Sequence, residues 1–202
     1  MKKSAINIPE GCTRVLLHAC CAPCSSAIVE WLLAHEIEPV IYYYNPNIYP
    51  REEYEIRKNE SKRHAESLGV KWIDGDYDHD GWRCAVKGLE KEPERGKRCE
   101  MCFYHRLLAT ARRAQEAGIP FFATTLASSR WKNIDQVNTA GERAAVMANG
   151  ERRMADVSVR FWAQNWRKDG LQDRRNALLK EYGFYNQLYC GCEFSARPAI
   201  SQ

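Results

Sequence analysis

No apolar run in this 202-residue chain approaches the ~20 residues that a membrane-crossing helix needs, so no membrane partner is expected. The opening stretch MKKSAINIPEGCTR has no apolar segment after its lysines, which excludes a secretory signal and points to the cytoplasm. Internal repeats and low-complexity tracts are missing as well, leaving no basis for a repeat array or a solvating tail. Strong charge of one sign is also lacking. A net charge of +4 permits an anionic partner such as nucleic acid without demanding one. Disorder is excluded by ordinary composition, 45% hydrophobic and 28% charged, which is enough to bury a core.

Cysteine, by contrast, is plentiful. Nine occur, an odd number that rules out complete internal pairing, and the cytoplasm keeps thiols reduced. Their placement tells more than their number. Cys20, Cys21 and Cys24 lie in HACCAPC, Cys99 and Cys102 form a CxxC, and Cys190 and Cys192 form CGC. Cys12 and Cys84 stand alone and read as small core side chains.

The periodicity around these groups alternates between strand and helix. Arg14 to Ala19 is a short apolar run of the kind found in buried parallel strands, with the cysteine loop after it and a helix opening at Ser25-Ser26. Glu38 to Tyr44 reads as a second strand, ended by Asn45-Pro46-Asn47. A long polar helix is expected from Pro50 to Leu68, capped by Gly69, then a third strand from Val70 to Ile73 and the acidic stretch DGDYDHDGW. Helices from Cys99 to about Ala117 and from Ile134 to Met147 flank a fourth strand, Pro120 to Leu126. This order gives a Rossmann-like α/β fold with a mainly parallel sheet. Residues 1–202 are expected to form one domain, with 150–202 a less regular, helical C-terminal part rather than an independent unit.

In such sheets the reactive site lies where strands lead into helices, and HACCAPC occupies that place after the first strand. The CxxC opens a helix, whose free N–H groups favour thiolate. Three chemistries remain open on spacing alone. Cys21, Cys24, Cys99 and Cys102 have the two-pair pattern of a structural zinc site. A CxxC redox centre is the second. An iron–sulfur cluster is the third, and its several irons accommodate adjacent cysteines most readily. CGC fits either a strained, easily reduced disulfide or further metal ligation.

Four ordered segments, LLHACCAPCSS, GLEKEPERGKRCEMCFYHRL, TTLASSRWKN and YNQLYCGCEFS, resemble epoxyqueuosine reductases of the QueH type. The resemblance spans nearly the whole chain. It implies reduction of epoxyqueuosine to queuosine at the wobble position of tRNA, the last step of queuosine biosynthesis, by an iron–sulfur oxidoreductase with an electron donor of its own. It implies a fold similar to the nucleotide-binding group that includes PP-loop enzymes. HACCAPCSS stands in the place of their pyrophosphate loop, so ATP use is not implied. By motif, Cys20, Cys21, Cys99 and Cys102 correspond to the ligands of a [4Fe-4S] cluster, and Cys190 with Cys192 to a redox-active disulfide. An additional mononuclear iron is implied beside the cluster, with Cys24 as the nearest spare thiolate and Asp76 or Asp78 as oxygen donors. Arg130-Trp131 and Asn186 depart from the family pattern, and these changes spare every thiol. The competing functions are a zinc-stabilised RNA-binding module and a cysteine-dependent tRNA sulfur transferase.

His79, in the acidic stretch Asp74 to Asp80, is a source of the proton for the departing oxygen, with a solvated turn as the alternative. His18, late in the first strand, reads either as a satisfied core histidine or as a group that orients the cysteine loop. For RNA contact the sequence offers Glu151 to Arg175, with Arg152, Arg153, Arg160, Arg167, Lys168, Arg174 and Arg175 around Trp162 and Trp166. The alternative is that both tryptophans form one core-facing helix stripe.

Overall fold

The computed structural model describes residues 6–151 and 157–195. Five strands, β1 (Arg14–His18), β2 (Glu38–Tyr43), β3 (Lys71–Asp74), β4 (Phe121–Thr124) and β5 (Arg160–Phe161), form one sheet in the order β3-β2-β1-β4-β5. Every neighbouring pair is parallel. β1 sits in the middle because Val15, Leu16 and Leu17 are apolar on both faces and fully buried. Its register sets His18 opposite Tyr42 on one side and Thr124 on the other. The chain order reverses between β1 and β4, which makes that crevice the topological switch point.

Helices cover the sheet. α1 (Ala22–Ala34) packs against α2 (Arg51–Ser67) and α6 (Leu171–Glu181), while α4 (Lys97–Glu116) packs against α5 (Ile134–Gly150) and the short α3 (His79–Ala85). α1 begins at Ala22 rather than at Ser25, because Pro23 suits the first helical turn and Cys21 takes the N-cap position. α4 turns Phe103, Leu107, Ala111 and Ala114 inward and ends before Gly118, whose φ of +65° suits the left-handed close of a helix. α5 starts on Asn133, whose side chain accepts the N–H groups of Asp135 and Gln136.

The C-terminal part differs from expectation. It contributes β5 to the sheet, and α6 lies on α1. Trp162 and Trp166 are 4% and 1% exposed, and they follow β5 in a loop, so no helix stripe exists there. They form a cluster with Trp31, at centroid distances of 6.3, 6.0 and 5.2 Å. Burial of Trp162 and Trp166 against the partly buried Trp31 outweighs base stacking as their role, since removing one such side chain costs about 3–5 kcal/mol. Among the described residues no helix is long and apolar enough to cross a membrane.

Candidate active site at the switch point

β1 ends at His18 and delivers Cys20 and Cys21 into the crevice beside β4. The Sγ atoms of Cys20, Cys21 and Cys24 all lie within 4.8 Å of one another, a group able to hold a metal ion. Cys20 and Cys21 are 3.8 Å apart. Three converging thiols are a soft donor set, of the kind that takes zinc, copper(I) or an iron–sulfur cluster. Thr125, just past β4, fixes Cys20 twice. Its hydroxyl accepts the Cys20 N–H at 3.1 Å and donates to Cys20 Sγ at 3.3 Å. Hydrogen bonds from Cys21 and Cys24 draw the Cys20 thiol well below its ordinary pKa, while Cys24 is pushed up to about 12 by sharing its hydrogen bond with Cys20.

His18 is buried and used on both ring nitrogens. Nε2 donates to the Tyr44 carbonyl at 3.1 Å, so Nδ1 must accept from Thr124 Oγ1 at 2.8 Å. Burial, joined by the nearby Arg106 charge, lowers its pKa to about 3 and keeps it neutral. It ties β1, β2 and β4 together under the cysteine loop, as a satisfied core histidine. Asn45, at the end of β2, donates to the Ala19 carbonyl at 2.9 Å and accepts from the buried Arg106.

Cys99 and Cys102 fall outside the 4.8 Å group. The helix start was expected to favour thiolate at Cys99, yet burial raises its pKa and outweighs the Arg95 N–H that donates to its Sγ at 3.2 Å. Cys102 lies in a buried cluster with Trp82, Val86 and Cys192. Cys190 is exposed and Cys192 buried, and none of the nine cysteines is in a disulfide. A hydrogen bond from Cys192 holds the Cys190 thiol well below its ordinary pKa and raises that of Cys192. The positive charge of Lys132 favours thiolate at Cys20, Cys24 and Cys190 alike, so it faces both sets of cysteines.

The CGC segment is anchored at several points. The Tyr49 N–H donates to the Gly191 carbonyl at 2.8 Å, and Ile48 bridges to Cys192. Gly191 has φ +96°, and a Cβ there would lie 2.8 Å from Ile48 Cγ1, so only glycine fits. Gln187 reaches back to donate to Cys21 Sγ at 3.0 Å, joining the C-terminal segment to the first cysteine loop.

Other expected residues serve elsewhere. Asp74 pairs with Lys58 at 2.5 Å and Asp78 caps α3, so these two carboxylates of the acidic stretch have structural partners. His79 donates from Nδ1 to the Pro46 carbonyl and stacks on Tyr77 and Trp82. Asp76 is exposed and Cys84 is exposed rather than a core residue, whereas Cys12 is buried. Arg167 donates to the Ser129 and Lys132 carbonyls, Arg174 pairs with Glu30, and Arg160 lies over the Phe121 ring, so these arginines hold the fold together. Arg152 and Arg153 lie outside the described residues. Sequence reasoning passed over Thr124, Thr125, Asn45 and Gln187 as contacts, although Thr124 and Thr125 open the motif TTLASSRWKN and Gln187 lies in YNQLYCGCEFS; only Asn45 stands outside the four motifs.

A protein-family profile described as "Epoxyqueuosine reductase QueH" matches residues 15–198. A protein named "Epoxyqueuosine reductase QueH" from Haemophilus influenzae is 45% identical over 197 residues, 98% of this chain and 77% of its own. One of the same name from Acinetobacter baylyi is 44% identical over 192 residues, 95% of this chain and 84% of its own. Among solved structures, the U34-tRNA thiolase NcsA from Methanococcus maripaludis with its [4Fe-4S] cluster has a TM-score of 0.48 at 14% identity, covering 94% of this chain and 60% of that one. A likeness of that size bears no weight on cofactor or substrate.

Proposed function

Because the chain belongs to the epoxyqueuosine reductase QueH family, we propose that Cys20, Cys21, Cys99 and Cys102 hold a [4Fe-4S] cluster and that Cys190 and Cys192 are a redox-active pair. The reaction is reduction of epoxyqueuosine to queuosine in tRNA. Cys24, beside Cys20 and Cys21, is the thiolate for an adjacent mononuclear iron. A zinc-stabilised RNA-binding module and a cysteine-dependent sulfur transferase are not favoured, since neither has a use for the CGC pair and both stand outside the family.

The observation that supports a metal centre here is the convergence of Cys20, Cys21 and Cys24 at the switch point, with the CGC segment tied to Cys21 through Gln187, while Cys99 and Cys102 enter as ligands by the family's motif. A bound cluster supplies electrons one at a time. Taking the epoxide oxygen off as water, with a carbon–carbon double bond left behind, consumes two electrons and two protons. Oxidation of the two thiols to a disulfide releases two electrons and two protons, so the counts match. Cys190, drawn toward thiolate by its partner, is the more reactive of the two, and buried Cys192 retains a proton. A reductant outside the chain returns the disulfide to thiols, and a reducing cytoplasm keeps the pair available.

The test is conversion of epoxyqueuosine-containing tRNA by anaerobic protein with an excess of reductant. Cys190→Ser/Cys192→Ser is expected to abolish multiple turnover while iron content stays unchanged. Undiminished turnover in that variant contradicts the role of the pair.

A further inference from the structure

The tryptophans first considered for RNA stacking are buried, but Trp131 is 69% exposed. It does not sit on a remote surface. Its carbonyl accepts from Arg95 Nε at 2.9 Å, and the N–H of the same arginine donates to Cys99 Sγ at 3.2 Å. The next residue is Lys132, whose charge acts on Cys20, Cys24 and Cys190. Trp131 therefore stands beside the Cys99 end of the thiol region, one arginine away from its sulfur.

Its backbone is held from several sides. Arg167 Nη2 donates to the carbonyls of Ser129 and Lys132, the latter at 2.9 Å. Gln136, in the first turn of α5, donates to the Arg95 carbonyl at 2.7 Å and so closes the frame. Arg95 itself adopts a left-handed φ of +66°, a conformation that a non-glycine residue keeps only where its surroundings dictate it. A large apolar ring is thus carried in water on a backbone tied at several points, with the Arg130 guanidinium 5.0 Å from its centroid. Arg95, Arg130 and Lys132 lie around it, and none of the three forms a salt bridge with a carboxylate among the described residues. An exposed aromatic face beside such cations is what a splayed single-stranded nucleic acid binds.

We propose that Trp131 is a stacking platform for an anticodon-loop base next to the modified nucleotide, with Arg130 and Lys132 meeting the adjoining phosphates. The inference rests on the reading of the site as a tRNA-modifying centre.

The experiment measures binding of an anticodon stem-loop RNA to the full anaerobic protein by fluorescence anisotropy across a range of salt. Trp131→Ala is expected to weaken binding by about 5- to 150-fold with the salt slope unchanged, because stacking releases no counterions. Trp131→Phe restores most of the affinity. Arg130→Ala lowers the slope of log K against log salt by about 0.7, as for one lost phosphate contact on a single strand. Native affinity in Trp131→Ala, or a loss that phenylalanine does not restore, overturns the platform while the tRNA reading stands. A native chain that binds no RNA overturns both.

Discussion

Replacing Arg57 with methionine isolates the contact that holds the redox segment to the body of the protein. Arg57 and Glu53, one turn apart on α2, have side chains 3% and 10% exposed and meet at 2.6 Å. The guanidinium also donates to the Tyr189 carbonyl at 3.2 Å, next to Cys190. Methionine fills much of the same volume but leaves Glu53 buried with only the Tyr185 hydroxyl, at 2.9 Å, to satisfy it. An uncompensated buried charge of this kind costs about 3–5 kcal/mol. That is a large share of the 5–15 kcal/mol or so that stabilises a typical domain. At roughly 2–4 °C per kcal/mol, thermal unfolding of the anaerobic protein should begin some 6–20 °C lower. Glu53→Gln added to Arg57→Met should recover most of the loss, because no charge is then stranded. Alkylation of buried Cys192 should quicken in the single variant and slow again in the double. A single variant that melts within about 3 °C of the native chain refutes the reasoning.

Gly191→Ala adds strain of about 1–2 kcal/mol at positive φ and a further ~1–3 kcal/mol from the Ile48 contact. Its unfolding midpoint should fall and oxidation of the Cys190–Cys192 dithiol should slow; unchanged oxidation kinetics would tell against this anchoring. Thr125→Val removes the hydroxyl bonded to Cys20, about 0.5–1.5 kcal/mol, and should raise the Cys20 pKa. Slower iodoacetamide labelling of Cys20 in metal-free protein is the readout, and an unaltered rate is the contrary result. His64 is buried, its Nε2 has no hydrogen-bond partner among the described residues, and desolvation lowers its pKa. Below about pH 6.5 the unfolded chain therefore binds a proton that the folded chain resists, and stability is lost as pH falls, by at most ~1.4 kcal/mol per unit. His64→Leu should flatten this acid limb in urea titrations at pH 7.5 and 5.5, and a limb as steep as the native one argues against it.

The central strands were legible because burial on both faces leaves a plain apolar signature, as in Val15-Leu16-Leu17. β5 was not, since two residues carry no period, and only the register Phe122↔Phe161 makes Arg160–Phe161 a strand. The same limit misled the reading of Trp162 and Trp166. Four-residue spacing fits a helix face, but a strand leads into that segment and Trp31, more than a hundred residues away, completes the cluster.

For the site, spacing grouped Cys20, Cys21 and Cys24 correctly as neighbours. It could not show what surrounds them. Thr125, Asn45 and Gln187 meet the cysteine loop across 105, 26 and 166 residues of chain, distances at which no local pattern survives. Electrostatics also went astray at Cys99, where a helix start promised thiolate and burial prevailed. The structural partners in the acidic stretch were hidden for a related reason. Asp78 is spent on capping α3 and Asp74 on Lys58, demands that composition alone does not reveal.

The most direct measurement is iron and acid-labile sulfide, beside zinc, in protein purified without oxygen, for the native chain and for Cys99→Ala/Cys102→Ala. A [4Fe-4S] cluster on Cys20, Cys21, Cys99 and Cys102 predicts about four sulfides and at least as many irons per native chain, with the sulfide lost in the variant. Bound zinc without sulfide, or a full complement of sulfide in the variant, contradicts it.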